Sequence, residues 1–356
     1  MSLGGTTNPV ANQGGGPIPD ANQAARAEPK GDRAHGSIPL ALQAEAISKH
    51  YPVRPAGWLS RAQTLHALRP VSVRLESGRT LAVVGESGSG KTTLARLLTL
   101  IEQPASGRIA LEGQWTDDPS VPRKALQSRV QMVFQNPFAS LNPRKTIAAI
   151  LEEPLQIQAR LGSAQRRERV MDLLDRVGLS SAHAARYPHM FSGGQRQRIA
   201  IARALMLEPS VVVADEPVSA LDVSVQAQIL NLFMDLQDQL GTAWVFISHN
   251  LAVVEQLAHD VLVLLMGRPV EMAPAAQLFA APAHPYTQAL LQASPHLQTT
   301  GEVAPMAVLR GEPPSALSPP AGCPFHTRCP EARAVCAESV PDLKDLGETR
   351  VACHAR

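Results

Sequence analysis

Aromatic residues are scarce, 4% of 356 positions, and none precedes Tyr51. A segment without large rings and rich in Gly, Pro, Ala, Asn and Gln has little to bury against the entropy lost on ordering, so residues 1–40 are expected to form a disordered tail. Long apolar runs are missing as well. Although 44% of residues are hydrophobic, no run approaches the roughly 18 residues that a membrane-spanning helix requires. The opening residues also lack the apolar centre of a signal peptide, which points to a chain that stays in the cytosol. Nor is there an excess of charge of one sign. With 33 basic against 31 acidic residues the net charge is +2, too balanced to advertise nucleic acid or an acidic membrane as a partner. Cysteine is absent until late: Cys323, Cys329, Cys336 and Cys353 are the full set. In a reducing compartment such a cluster is expected to hold metal or stay as thiols rather than form disulfides.

From residue 41 to residue 272, short β-branched runs alternate with helical stretches, the rhythm of parallel strands joined by helical crossovers. Strands are expected at 81–84, 130–134, 211–214, 244–247 and 261–265. Val225, Ile229, Phe233, Leu236 and Leu240 recur at helical spacing and give one apolar face for the sheet. Between about 136 and 190 the β signal disappears and the sequence reads as a helical insert. After residue 272 prolines punctuate the chain, a short helix is expected over 286–293, and an irregular segment carries the cysteines. The division is thus a tail (1–40), an α/β domain with a helical insert (41–272) and a C-terminal extension (273–356).

Directly after the 81–84 strand stands Gly85-Glu86-Ser87-Gly88-Ser89-Gly90-Lys91-Thr92, the full phosphate-binding P-loop pattern between a strand and a helix. Its glycines let backbone N–H groups approach phosphate, and the following helix directs its positive end there. Lys91 suits the β- and γ-phosphates and the Thr92 hydroxyl suits Mg²⁺. A second apolar strand, 211–214, ends in Asp215 and Glu216. Two carboxylates at a buried strand end are costly unless something cationic uses them. Asp215 fits a Mg²⁺ partner, and Glu216 fits the base that polarises an attacking water. Ser192-Gly193-Gly194-Gln195 then forms a turn followed by a helix expected over 199–207, and a Ser-Gly-Gly turn at a helix N-terminus is a second anion nest. One phosphate chain does not need two nests in one subunit, so this one is expected to serve the nucleotide of a partner subunit.

In combination these motifs resemble the ATP-binding subunits of ABC transporters, in which two α/β P-loop NTPase domains sandwich ATP between the P-loop of one and the Ser-Gly-Gly signature of the other. The resemblance runs from about residue 44 to the C-terminus. It implies a nucleotide site of Tyr51, Gly85, Glu86, Ser87, Gly88, Ser89, Gly90, Lys91, Thr92, Thr93, Gln135, Asp215 and Asp222, with Ser192, Gly193, Gly194 and Gln195 facing a partner's nucleotide. Within that set Tyr51 resembles the aromatic that stacks on adenine. Gln135 resembles the glutamine that senses Mg²⁺ and water, and His249 the histidine that contacts γ-phosphate and positions the catalytic Glu216. Ser219-Ala220-Leu221-Asp222 resembles the loop coupling the two sites across a dimer.

More narrowly, the chain is similar to the second ATPase of the dipeptide and oligopeptide importers, on Phe134-Gln135-Asn136-Pro137-Phe138, Tyr187-Pro188-His189-Met190-Phe191-Ser192 and His284-Pro285-Tyr286-Thr287 with the tail after it. Asn250 departs from the pattern, since an acidic residue usually follows the histidine. The resemblance implies a peripheral protein on the cytoplasmic face of the inner membrane. There it would pair with a paralogous ATPase beneath two permease subunits fed by an extracytoplasmic peptide-binding protein, without nucleic acid. Oligopeptide, nickel-chelate or glutathione cargo are alternatives to dipeptides. A soluble ABC ATPase acting on nucleic acid or the ribosome is the rival class, disfavoured by the single ATPase domain and the short insert.

The spacing of Cys323, Cys329, Cys336 and Cys353 is not the short pair of common zinc ribbons. Four thiolates are nonetheless the ligand count of an iron–sulfur cluster, and the resemblance implies [4Fe–4S] here. Zinc, with His326 or His354 as substitute ligands, and free thiols stay open.

Overall fold

The computed structural model describes Met1, 38–53, 63–158, 161–293 and 314–356; most of the expected tail lies outside these residues. From Ile38 to Arg356 the chain forms one compact unit. Among the described residues its strands are β1 (Leu40–Val53), β2 (Gln63–Glu76), β3 (Thr80–Val84), β4 (Ser106–Leu111), β5 (Gln114–Trp115), β6 (Val130–Val133), β7 (Val211–Asp215), β8 (Ala243–Ile247), β9 (Asp260–Leu265), β10 (Arg268–Pro274), β11 (Lys344–Leu346) and β12 (Thr349–Val351). An eight-stranded sheet runs β11-β12-β10-β9-β3-β8-β7-β6, and a four-stranded antiparallel sheet runs β2-β1-β4-β5. The five strands from β9 to β6 are parallel and coincide with the five expected strands, apart from Phe134, which follows β6 and is exposed.

Alternation of side chains across the parallel strands explains why they read as unbroken apolar runs: both faces are buried. One face sends Val83, Val213, Val245 and Ile247 toward the helix Lys91–Leu98 and the small sheet. The other sends Val212, Ala214, Trp244 and Phe246 against Ile229, Phe233 and Leu236 of the helix Val223–Leu240. Phe233 meets Trp244 and Phe246 edge-on, with ring centroids 4.8 and 5.6 Å apart, a geometry that adds about 0.5–1.5 kcal/mol per pair beyond burial. Between β6 and β7 every regular element among the described residues is helical.

The small sheet was not foreseen, and its strands hide their alternation. β1 shifts register around Ala46, which has φ 45°, and β2 contains Pro70, which ordinarily argues against a strand. Leu40, at the limit of the expected tail, already opens β1 and pairs with Glu76.

The C-terminal extension joins the large sheet. β12 pairs with β10, and β11 with β12. At the junction Glu271 of β10, fully buried, accepts hydrogen bonds from the amides of Ala283 (2.7 Å) and His284 (2.8 Å). His284 Nδ1 accepts from the Tyr286 amide at 2.9 Å, capping the helix Pro285–Ala293, with proline at its favoured first position.

Burial pushes the His284 imidazole down to about 4. A proton therefore binds the unfolded chain more tightly, so stability falls as pH drops from about 6.5 to about 4 and is unaffected by this group above that window, a swing of about 3 kcal/mol. His284→Asn keeps a capping acceptor but cannot titrate. Thermal melting between pH 7.5 and 4.5 is expected to lose less midpoint in this variant than in the parent, and equal losses would remove His284 as the source.

Candidate functional site: a phosphate-loop cleft at the strand ends

The C-terminal ends of β3, β7 and β8 deliver the candidate residues to one edge of the sheet. Gly85–Lys91 follows β3, whose five residues are all buried. Gly85 has φ 148°, and a Cβ there would lie 2.2 Å from the Leu264 carbonyl oxygen; Gly90, with φ 100°, closes against Ala67 in the same way. Both positions need glycine because the loop passes against other backbone. Lys91, buried, donates from Nζ to the carbonyls of Gly85 (2.8 Å) and Glu86 (2.9 Å). Burial pushes its ammonium down from the ordinary value, against the pull of Glu216, Asp215 and Glu86.

Asp215 closes β7 and is buried; burial pushes its carboxyl up, while a hydrogen bond from the Thr92 side chain pulls it back. Thr92 and Asp215, expected to share Mg²⁺, are therefore neighbours, and a hydroxyl beside a carboxylate is the hard-oxygen donor set that ion takes. Glu216 sits in the left-handed region at φ 46°, a conformation that costs a non-glycine residue on the order of 1 kcal/mol and recurs at functional sites. Its amide donates to the Ile247 carbonyl at 3.0 Å, which fixes the turn onto β8. One carboxylate oxygen accepts from Gln135 Nε2 at 2.8 Å, and the other meets His249 Nδ1 at 3.1 Å. Three residues separated by up to 114 positions thus form one polar constellation, able to hold and polarise a water. Asn250 has a local duty instead: its side-chain oxygen caps the next helix by accepting from the Ala252 amide at 3.1 Å.

Part of this set lines a cleft of about 760 Å³, namely Tyr51, Ser87, Gly88, Gly90, Lys91, Thr92, Thr93, Gln135 and Glu216, whereas Gly85, Glu86, Ser89, Asp215 and His249 stand behind that lining. Tyr51 donates its hydroxyl to Glu102 at 2.6 Å. Burial, with Glu102 beside it, holds the phenol above its ordinary range. Ser192, Gly193, Gly194, Gln195 and Asp222 do not line this cleft. Ser192 instead caps the helix Gly193–Leu205 through a reciprocal pair with Gln195: the Gln195 amide donates to Ser192 Oγ (3.3 Å), and the Ser192 amide to Gln195 Oε1 (3.1 Å). That cap starts the helix six residues before the expected 199. Gly194 packs so closely on Val225 that a Cβ would come within 2.5 Å of its Cγ1. Asp222 sits at the start of the helix Val223–Leu240.

Sequence reasoning missed the second wall of the cleft. Ala316, Pro319, Pro320, Ala321, Gly322 and Pro324 of the extension line it, with Arg69 and Arg268 adding positive charge. Glu86 was foreseen as part of the phosphate loop, but its partners were not. Its carboxylate is held by Arg328 and its amide by Tyr286. The signal was present, since a carboxylate inside an anion nest calls for a counter-cation.

The four cysteines come together as free thiols, three of them buried. Burial pushes the Cys323 and Cys329 thiols up; Cys323 feels the other three cysteines, and Cys329 feels Cys336 and Cys353. Among the described residues, however, no three His, Cys, Asp or Glu side chains take the arrangement of a metal site. Of the substitute ligands, His326 pairs Nδ1 with the Cys323 carbonyl at 2.8 Å and His354 pairs Nε2 with the Ser339 carbonyl at 2.9 Å, so one ring nitrogen of each is committed. The donor set thus matches a four-thiolate group in kind, while the expected cluster and the zinc alternative both lack a formed ligand geometry.

Residues 68–219 match the ABC transporter family, and residues 270–336 match the C-terminal region of oligopeptide/dipeptide transporters. The chain is 56% identical over 314 residues to the di/tripeptide transport ATP-binding protein DppF of Pseudomonas aeruginosa, covering 88% of this chain and 97% of that protein. It is 54% identical to the dipeptide transport ATP-binding protein DppF of Escherichia coli (88% and 94% covered). It is 45% identical to the oligopeptide transport ATP-binding protein AppF of Bacillus subtilis (88% and 96%). Among solved structures, a dimeric post-hydrolysis state of the ATP-binding cassette MJ0796 bound to ADP and Pi superposes with a TM-score of 0.57 at 27% identity, covering 66% of this chain and 98% of that one. CbiO1 from Clostridium perfringens, part of the transporter complex cbiONQ, gives 0.59 at 26% identity (68% and 92%). With the phosphate loop, the paired carboxylates and the Gln135–Glu216–His249 constellation gathered at one edge of the sheet, the chain belongs to the ABC transporter family, among the ATP-binding subunits of dipeptide and oligopeptide transporters.

Proposed function

We propose that this chain is the ATPase that drives import of dipeptides and other short peptides, hydrolysing ATP to ADP and phosphate at the cleft built on β3, β7 and β8. The observation that carries the reading is Glu216, held between Gln135 and His249 beside the phosphate loop. In this reading Gly85–Thr93 wraps the phosphates, Lys91 neutralises them, and Tyr51 stacks on adenine. Thr92 and Asp215 would hold Mg²⁺, which when bound offsets charge on the phosphate oxygens. Glu216 takes the proton of the attacking water, Gln135 orients that water, and His249 keeps the Glu216 carboxylate aimed and meets γ-phosphate.

Ser192–Gln195 and Asp222 would complete the nucleotide site of a paralogous ATPase. The helical insert at 136–190 would receive the permease subunits, with residues 41–272 as the motor and 273–356 as the importer-specific extension. No helix among the described residues is long and apolar enough to cross a membrane. The reading therefore places the chain on the cytoplasmic face of the inner membrane, beneath two permeases that take cargo from an extracytoplasmic peptide-binding protein. Dipeptides are favoured over nickel chelates or glutathione by the names of the two DppF relatives. Four cysteinyl sulfurs gathered in one place support a [4Fe–4S] cluster as the resident of the extension.

Glu216→Gln keeps the shape of the side chain but removes the base, so steady-state ATP hydrolysis is expected to fall about 10²- to 10⁴-fold while nucleotide still binds. Normal turnover in that variant would reassign the base. Lys91→Ala should weaken nucleotide binding itself in an equilibrium titration, and unchanged affinity would count against the phosphate loop. Anaerobically purified protein is expected to show visible charge-transfer absorbance with about four irons per chain, lost in Cys329→Ser. Colourless protein containing zinc or no metal would refute the cluster.

A further inference from the structure

Glu86 is an odd residue for its place. The second position of a phosphate loop carries a carboxylate where a polyanion is to be bound, and the loop's own Lys91, which feels it, gives its hydrogen bonds to the carbonyls of Gly85 and Glu86 and not to that carboxylate. The C-terminal extension does so from two directions. Arg328, whose side chain is 3% exposed, makes a two-pronged ion pair with the Glu86 carboxylate, Nη1 to Oε1 at 2.8 Å and Nη2 to Oε2 at 2.9 Å. Tyr286, fully buried, accepts a hydrogen bond from the Glu86 amide at 2.8 Å. The third group of Glu86, its carbonyl, accepts from Lys91 Nζ. Phe325 braces both clamp residues, its ring 5.3 Å from that of Tyr286 and 5.4 Å from the Arg328 guanidinium.

The partners lie 200 and 242 residues from Glu86 along the chain, so local folding cannot supply them. Tyr286, Arg328 and Glu86 itself do not line the cleft, whereas the next loop residues Ser87, Gly88 and Gly90 do, so the clamp acts on the loop from behind its lining. A planar guanidinium forked onto a carboxylate fixes direction as well as charge. It neutralises the carboxylate and draws it to the extension side.

We propose that Arg328 and Tyr286 are positioning residues of the phosphate loop, making its affinity for the nucleotide's phosphate chain conditional on the folded C-terminal extension. The proposal rests on the nucleotide reading of the cleft. Losing Arg328 leaves the Glu86 carboxylate unneutralised beside incoming phosphates; losing both charges removes the conflict.

The test is equilibrium titration of the full chain with Mg²⁺ and a non-hydrolysable ATP analogue. Arg328→Gln is expected to bind about 10- to 100-fold more weakly, the scale of losing charge-assisted hydrogen bonds to one group. The double variant Glu86→Gln/Arg328→Gln is expected to bind at least about threefold more tightly than Arg328→Gln alone, which a purely structural role for Arg328 would not produce. Arg328→Lys, keeping charge without the fork, should fall between, and Tyr286→Phe, losing only the acceptor, should weaken binding about fivefold. The last two stay readable if Arg328→Gln does not fold. Unchanged affinity in the single variants, or a loss in Arg328→Gln that the double variant fails to reduce by that factor, overturns the proposal. A parent chain that binds no nucleotide would instead defeat the nucleotide reading and this proposal with it.

Discussion

The parallel register of β3, β8 and β7 is the constraint on which the site depends. Val83 stands opposite Ile247, and Ile247 opposite Asp215, so the three strands end together at one edge. The turns that leave them are then stitched across the edge by backbone bonds: the Ser248 amide donates to the Val83 carbonyl, and the Glu216 amide to the Ile247 carbonyl. A slip of one residue would turn every buried Val, Ala and Phe to the wrong face. Both faces of these strands are packed, so the core itself enforces the alignment of the phosphate loop, the carboxylate pair and His249.

Electrostatics at that edge is a set of matched conflicts. Lys91 is buried at a cost, relieved by Asp215, Glu216 and Glu86. Asp215 is buried at a cost, relieved by Thr92 and Lys91. Glu86 would oppose an anionic ligand and is covered by Arg328. Each charge is tolerable because a neighbour from another part of the chain balances it. The extension is thereby tied to the motor at three points: the β10–β12 pairing, Glu271 beneath the amides of Ala283 and His284, and the clamp on Glu86.

Much of this was legible in the sequence because it is written locally. Unbroken apolar runs announced β7 and β8, since strands buried on both faces need no polar alternation. The phosphate loop is contiguous, so its glycines, lysine and threonine carry their spacing in plain view. Ser192 with Gln195 three residues later is a local capping pair, although its consequence, a helix beginning at Gly193 rather than 199, needed the geometry to be seen. The small sheet was illegible for the opposite reason: the irregularity at Ala46 and Pro70 in β2 interrupt the period-two pattern on which strand reading relies.

What the sequence determined by itself is the chemistry on offer: a phosphate-loop pattern, two carboxylates at a strand end, a Ser-Gly-Gly turn before a helix and four late cysteines, all fixed by residue type and short spacing. What only the tertiary structure decided is which of these meet. It brought Gln135, Glu216 and His249 into hydrogen-bonding distance and left Ser192–Gln195 outside the cleft. Among the described residues it gathered the thiols without forming a metal-holding geometry. It also set Arg328 and Tyr286 on Glu86 across more than half the chain. Such meetings depend on sheet order and on burial over both faces of the strands, and a contact between residues so far apart leaves no trace in the spacing of either.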